Sequence, residues 1–489
     1  MSWDEPVHSG YAERVIDYVR SFGKDKSCND YYDLKYYGPT TDLVAASIYR
    51  WTPENKILVR HLLSAFLAIG SFPALFQIGK RLGNPWIGVA SCLCLILCPR
   101  FVGHAFVNLK DIPFATAYAW SIWAMMKYLW DDQSWENVFW CIVTVGAAAM
   151  IRAAGLPLLA ATFVIGAIAA ATLGKQRLQN KIFLHGLAIL AGAWILMVIP
   201  WPWAHESPIR HPLATIVNSS SFHTVVPILY DGESINSDEL PRSYLPKFFA
   251  ITTPIAILAF AAYGFLSLIW QHWMSREEKD HDPKPLALVL IWVALPLLLY
   301  VALRPNTYDG IRHFLFLLPG IACLAGLGFV DAWQRFNAWT ARFGLTTIAI
   351  VSSLAILAGM VQLHPYQLSH FNGFVGGVKG ANGKYDTEYW LTSYRAAMEW
   401  INEKEAENEE PFSVLVGSTE QATNCAAAFA PETTTVKATN ETGLIGPVPH
   451  EYRYYIGSYR FDLDDNFPKS PIVHRVQRDG VVFCVVRKR

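Results

Sequence analysis

The sequence predicts a mainly α, polytopic helical membrane protein that ends in a small α/β soluble domain. Three observations predict it. Of 489 residues 53% are apolar and only 16% charged, against roughly 25% charged in an ordinary soluble chain. Ten apolar runs have the length of about 17 to 25 residues that crosses a bilayer. After residue 363 the composition becomes that of a soluble domain, with short β-branched runs and an amphipathic segment.

The apolar runs lie near 61–79, 86–106, 112–129, 136–152, 154–174, 182–203, 249–271, 286–303, 313–331 and 344–362. Arg152 interrupts the fourth and fifth, so "MIRAAGLPLL" reads either as a loop or as a broken helix. The hydrophilic blocks are 1–60, 204–248 and 363–489, which gives an outer first segment, a transmembrane domain over 61–362 with an outer loop at 204–248, and a soluble domain over 363–489. Six runs separate the first block from the second and four separate the second from the third, so parity puts all three on one side. The short connections opposite, such as "GKQRLQNK" and "SREEKDHDPKP", carry Lys and Arg, which assigns them to the cytoplasm and the large blocks to the non-cytoplasmic face.

Within the first block, Tyr11, Val15, Tyr18, Val19 and Phe22 recur at helical spacing, as in an amphipathic helix lying on the membrane interface. The terminal block predicts a helix near 393–406 and strands near 412–416, 451–456 and 481–487. No repeat or low-complexity segment is present, and no cleavable signal peptide is expected. Lys+Arg and Asp+Glu both number 40, which excludes the basic excess of a nucleic-acid binder. The 18 Trp, 22 Tyr and 27 Phe suit the two membrane-water boundaries. Cys92, Cys94, Cys98, Cys141 and Cys323 sit in apolar runs as small hydrophobes. Cys28, Cys425 and Cys484 remain for an oxidising compartment, with Cys425 and Cys484 either disulfide-bonded or, for Cys484, a reduced core residue.

Hydrophobic runs do not separate enzyme from transporter, so the polar residues at the outer surface must. Asp4 and Glu5 in "WDEPVHSGY" and Asp111 in "FVNLKDIPFA" stand out, because a carboxylate at the edge of a partly dehydrated site gains basicity, as deprotonating a hydroxyl requires. Asp111, before Ile112-Pro113, also reads as a helix cap.

"WDEPVHSGYA", "YYGPTTDL", "HAFVNLKDIPFA", "LPRSYLPKFFAITTP", "YDGIRHFLFLLPG", "HPYQLSHFNGFVGG" and "KYDTEYWLTSYRAAMEWIN" together resemble the GT-C glycosyltransferases of the protein-mannosyltransferase and aminoarabinose-transferase superfamily. The resemblance covers most of the chain. It implies the GT-C fold and transfer of a sugar from a polyprenyl-phosphate-linked donor to a glycan, lipid or protein acceptor, with inversion, on the non-cytoplasmic face of a bacterial cytoplasmic membrane. It also implies that Asp4 of the acidic pair is the catalytic base and that Asp111 supports the acceptor or a divalent cation, the one cofactor in prospect. Asp4 and Asp111 are then expected to converge at one cavity. The family places a transmembrane helix before the acidic pair, so the expectation is about 20 apolar residues encoded upstream of Met1, or else a scaffold without catalysis.

A phosphate leaving group needs cations in a low-dielectric pocket. Arg312 and His313 at the mouth of an apolar helix are the first candidates, with pairing to Asp309 as the structural alternative for Arg312. Lys110 and Arg152 are further donor-phosphate candidates, followed by His104 and Arg100. His364 and His370, six residues apart with no carboxylate between, lack metal spacing. Asn218-Ser219-Ser220 and Asn440-Glu441-Thr442 match the glycosylation sequon. The rival from another class is a lipid or glycan transporter or flippase. It would show inverted repeats and mid-membrane polar residues, whereas most charges here sit at the outer mouths.

Overall fold

The computed structural model describes residues 2–174, 181–218, 225–274, 283–408 and 410–489. The connection over 175–180, most of "SREEKDHDPKP", and Ser219 and Ser220 of the first sequon lie outside the described residues. The chain forms two compact units. A helical unit takes residues 11–226 and 237–357, and a C-terminal unit takes 1–10, 227–236 and 358–489. The C-terminal unit is therefore discontinuous, drawing ten residues from the 204–248 block.

The helices, in chain order, begin with α1 (Glu5–Arg20), α2 (Thr40–Tyr49), α3 (Lys56–Ile69), α4 (Ser71–Leu82), α5 (Pro85–Ile96), α6 (Pro99–Val107) and α7 (Asp111–Trp130). They continue with α8 (Trp135–Ile151), α9 (Gly155–Gly174), α10 (Ile182–Val198), α11 (Pro202–Glu206), α12 (Arg210–Asn218), α13 (Tyr244–Thr252), α14 (Ile255–Met274) and α15 (Pro283–Leu303). A 3₁₀ turn, Arg312–Leu317, leads into α16 (Leu318–Arg335), followed by α17 (Trp339–Leu363), α18 (Gly377–Ala381), α19 (Ser393–Lys404) and α20 (Glu420–Ala427). Each of the ten apolar runs reappears as a helix or a pair of helices.

Not every one of them has the length and composition of a membrane span. Among the described residues five do: Lys56–Leu82, Gly155–Thr172, Pro285–Leu303, Arg312–Arg335 and Trp339–Leu363. Counting each bent pair as one span, α5 with α6 at 69° and α13 with α14 at 116°, gives up to seven. The helices α8 and α10 are shorter, at 17 residues each. α7 packs inside the bundle, with Ile112, Phe114, Tyr118, Ile122, Met125, Met126 and Leu129 all buried by neighbouring helices.

Arg152 does mark a broken helix. Its φ of −139° and ψ of 106° end α8, and α9 resumes at Gly155. "YYGPTTDL" closes against this break: Thr40 Oγ1 donates to the Met150 carbonyl at 3.1 Å, and a Cβ on Gly38 would stand 1.8 Å from the same oxygen. Close backbone approach also fixes α16. A Cβ on Gly328 would meet the Phe260 carbonyl of α14 at 1.9 Å, and one on Gly326 would meet Ser91 of α5 at 2.5 Å. Small residues at such crossings let helices pack without a hydrophobic drive between them. Gly328→Val should therefore lower the thermal midpoint of the detergent-solubilised protein, by an overpacking cost of about 1–3 kcal/mol or more; an unchanged midpoint would mean that the two helices can part without loss.

The C-terminal unit contains a hairpin, β1 (Pro227–Tyr230) and β2 (Glu233–Asn236), turned at Asp231 and Gly232, both with positive φ. Tyr385 Oη donates to Asp231 Oδ1 at 2.6 Å and the Leu229 N–H to Asp386 Oδ2 at 3.2 Å, which explains why this stretch belongs with the C-terminal residues. The main sheet contains β3 (Phe412–Gly417), β4 (Thr434–Thr439), β5 (Tyr454–Ser458), β6 (Ile472–Arg478) and β7 (Val481–Lys488), in the order β4-β3-β5-β7-β6. β3 is parallel to both β4 and β5, and the β5-β7 and β7-β6 pairs are antiparallel. Tyr394, Ala397, Met398 and Ile401 of α19 pack with Val414, Val416, Ile456, Phe483 and Val486 in one core. Glu388, buried, accepts from the N–H groups of Trp390 and Thr392 and from Ser393 Oγ, so it fixes the turn that starts α19.

None of the eight cysteines is bonded to another, and Cys425 and Cys484 are both buried, so the reduced alternative holds. After β5, Asp464 has its carboxyl pushed up to about 6, first by burial and then by Asp465 and Asp462. A raised carboxylate pKa means the folded state holds the proton more tightly. The stability this group contributes is complete below pH 3.8 and is lost as pH rises through about 6. Asp464→Asn should consequently raise the thermal midpoint above pH 6 and leave it unchanged near pH 3.5, a comparison that a pH series of melts checks.

Candidate functional site

The helical unit brings the predicted cations together around one carboxylate. Asn108 ends α6 and organises the start of α7: its Oδ1 accepts the Asp111 N–H at 2.8 Å while its Nδ2 donates to Asp111 Oδ2 at 2.9 Å. Lys110 is the N-cap residue and makes no capping bond with its side chain, so the Asn108 side chain, from two residues outside, takes over that role, and Asp111 is the first residue of the helix. The Asp111 carboxylate is turned to other partners. Arg152, placed by the α8–α9 break, donates through Nη2 to Asp111 Oδ1, and Arg312 Nε lies 3.8 Å from Oδ2.

Arg312 is held from several directions. Its Nη1 donates to Asp309 Oδ2 at 2.9 Å, Nη2 lies 3.3 Å from His313 Nε2, and its guanidinium stands 5.2 Å from the centre of the Tyr308 ring. The pairing with Asp309 named as the structural alternative is present, and the contact with Asp111 accompanies it. Asp309 and Gly310 both have positive φ, and the Gly310 N–H donates to Tyr244 Oη at 2.9 Å, which fixes the turn that presents Arg312. Lys110 Nζ sits 3.0 Å above the Tyr37 ring.

A cavity of about 500 Å³ opens at this cluster. Lys110, Arg152, Arg312 and His313 line it together with Tyr37 and Tyr308, and the rest of its wall is largely apolar, including Phe114, Leu158, Leu299, Leu303 and Phe316. Asp111 is not among the lining residues; it stands behind the arginines, 4% exposed. Arg100 and His104 are buried nearby in the helical unit and do not line the cavity either. Chemically, the arrangement is an anion receptor at one part of an apolar chamber.

Asp4 and Glu5 belong to the C-terminal unit. Asp4 is half-buried, and its carbonyl accepts the His8 N–H at 3.0 Å in the first turn of α1. Glu5 is buried and accepts the Ser2 N–H through Oε2 at 2.6 Å, which gives it a local structural partner. The Trp3 N–H donates to the Trp390 carbonyl at 3.3 Å, so the acidic segment is tied to the turn that Glu388 holds.

Sequence reasoning missed Asn108, whose signal was its position three residues before Asp111, the spacing of a capping side chain. It also missed the buried pair Arg60 Nη2 to Asp42 Oδ1, 2.7 Å long, which joins α2 to α3. A divalent cation does not fit Asp111 as placed, because two arginines and an amide occupy its carboxylate and flank it with like charge to a metal. Among the described residues no three His, Cys, Asp or Glu side chains gather as a metal-ligating group.

Residues 44–203 match the family model of dolichyl-phosphate-mannose-protein mannosyltransferase. The fold is similar to that of ArnT from Cupriavidus metallidurans in the apo state, with 12% identity, a TM-score of 0.52, and 98% of this chain and 93% of that one covered. It is also similar to the archaeal oligosaccharyltransferase AglB from Archaeoglobus fulgidus, solved with an inhibitory peptide and a dolichol-phosphate, at 12% identity and a TM-score of 0.51. That match covers 92% of this chain and 65% of AglB, so the chain spans just under two thirds of the oligosaccharyltransferase. No curated protein sequence matches this chain. The resemblance seen in the sequence is therefore met twice, by the family match over part of the chain and by a fold like that of ArnT over nearly all of it.

Proposed function

We propose that this chain, with its GT-C fold and its mannosyltransferase-like segment, is an integral membrane glycosyltransferase that uses a polyprenyl-phosphate-linked sugar as donor. The observation that carries the reading is the cavity in which Lys110, Arg152, Arg312 and His313 meet an apolar wall. A polyprenyl phosphate has the matching halves, an anionic head and a branched hydrocarbon tail.

In the proposed transfer Asp4 removes the proton from an acceptor hydroxyl, and the oxygen attacks the anomeric carbon from the face opposite the phosphate. The bond from that carbon to the phosphate oxygen breaks, its electron pair leaves with the phosphate, and the anomeric configuration inverts. Arg152 and Arg312 stabilise the charge that gathers on the leaving group, which is the transition-state term a fixed cation supplies best in a dry pocket. Asp111 acts through the two arginines, holding them in register. The acceptor is a glycan, lipid or protein on the non-cytoplasmic face, a side that the Lys and Arg of the short connections support.

Purified protein in lipid nanodiscs, given polyprenyl-phosphate sugars, should release polyprenyl phosphate in the presence of acceptor. Arg312→Ala should raise the donor KM by about 10- to 100-fold, and Arg312→Lys should recover only part, because an ammonium cannot reproduce the paired geometry of a guanidinium. Kinetics unchanged from the parent chain in both variants, or movement of labelled lipid across liposomes with no cleavage of any donor, would overturn the reading, the second in favour of a flippase.

A further inference from the structure

The C-terminal unit holds a second cavity, of about 290 Å³, that the transfer just described does not use. It lies at the carboxyl ends of three neighbouring parallel strands. Thr419 follows β3, Asn440 and Thr442 follow β4, and Phe461 follows β5, and all four line it. Since β3 lies between β4 and β5, the chain leaves it to one side through α20 and later comes back on the other. At such a reversal the loops part, and the crevice outside the strand ends is where open α/β sheets take ligands.

The side chains there have a consistent chemistry. Trp3, Tyr389 and Phe461 supply aromatic surface, and Thr419, Asn440 and Thr442 supply hydroxyl and amide groups that both donate and accept. Among the described side chains no carboxylate lines the cavity. Among the described residues its one cation is Arg460, which is buried and donates through Nη1 to the Tyr389 backbone carbonyl, so it fixes the chain at Tyr389. Phe461, Asp462 and Leu391 all have positive φ, an uncommon backbone for such residues that the surrounding fold must enforce. A phosphate would call for more cations and a metal for carboxylates. A pyranose has an apolar C–H face for aromatic rings and a rim of hydroxyls for amide and hydroxyl partners. The volume is at the small end of the roughly 300–1,000 Å³ of ligand sites, which suits one or two sugar rings.

We propose that this cavity is a saccharide-binding subsite that receives the glycan part of the acceptor. The assignment rests on the glycosyltransferase reading for the word acceptor, and on the cavity alone for the word saccharide. Trp3, one wall of it, immediately precedes Asp4, so a sugar seated here lies against the segment that carries the proposed base.

The test uses the full chain in nanodiscs without lipid donor, titrated with methyl α-mannopyranoside, methyl β-galactopyranoside, chitobiose and a short Ser/Thr peptide by saturation-transfer NMR. At least one saccharide should bind, and Phe461→Ala and Asn440→Ala should each weaken it tenfold or more, with thermal midpoint and donor affinity unchanged. A chain that cleaves the lipid donor yet binds no saccharide, binds one with equal affinity in both variants, or binds the peptide in a Phe461-dependent way overturns the subsite and leaves the transferase intact. Saccharide binding that both variants weaken, in a chain that leaves every lipid donor uncut, supports the saccharide site and overturns the transferase reading instead.

Discussion

Asp4→Asn should lower the turnover of glycosyl transfer by about 10²- to 10⁴-fold, the usual contribution of a positioned general base. The amide keeps the size and planarity of the carboxylate while losing its charge and its capacity to take a proton, and Asp4 is only half-buried, so the fold should survive. Donor affinity should hardly change, because in the proposed reading the donor phosphate is held by Lys110, Arg152 and Arg312, which line the cavity, and not by Asp4. A fall in kcat at constant donor KM is the signature of an interaction made in the transition state alone. Glu5→Gln provides the contrast. Glu5 is buried and accepts the Ser2 N–H at 2.6 Å, so its change should appear mainly in the thermal midpoint. Equal turnover in Asp4→Asn and the parent chain would remove Asp4 from the mechanism, and the acidic pair would then be only the start of α1.

How far the sequence reached depends on whether a signal was local. The apolar runs located the helices because burial in lipid or in protein demands the same residues, and for that reason they could not say which. α7 has the apolar length of a span, yet its Tyr118, Ile122 and Met126 are covered by other helices, a fact that only packing decides. The break at Arg152 was legible because an arginine inside an apolar run has to meet a partner. β3 and β7 were legible from the β-branched runs of buried strands and β5 only as a short segment near 451–456, whereas β4, "TTVKAT", and β6, "IVHRVQR", are half-exposed strands in which polar residues leave no apolar run. The return of 227–236 to the C-terminal unit left no trace in composition; it depends on Tyr385 and Asp386, some 150 residues further along. The candidate cations were each found singly, from position at a membrane mouth. What the sequence did not show was that Arg152 and Arg312 share one buried carboxylate, since the three residues lie on separate helices.

That shared carboxylate leads to the largest expected effect on stability. Asp111→Ala should lower the thermal midpoint sharply, by a cost on the order of 3–5 kcal/mol, because removing one member of a buried ionic group leaves the others charged and uncompensated. The side chains of Arg312 and Asp111 are 9% and 5% exposed, so water cannot easily replace the lost partner. Asp111→Asn should be milder, since Asn108 can still bond the amide, although the attraction for Arg152 is gone. The double variant Asp111→Ala, Arg152→Met should be more stable than Asp111→Ala alone, as groups in one network are not additive. The same series separates positioning from catalysis. If Asp111 works by aligning the arginines, Asp111→Asn raises the donor KM along with its loss of stability, and the Arg152→Met background removes most of its further effect. A variant that melts like the parent and loses only kcat would instead show that the carboxylate acts on the reacting atoms themselves.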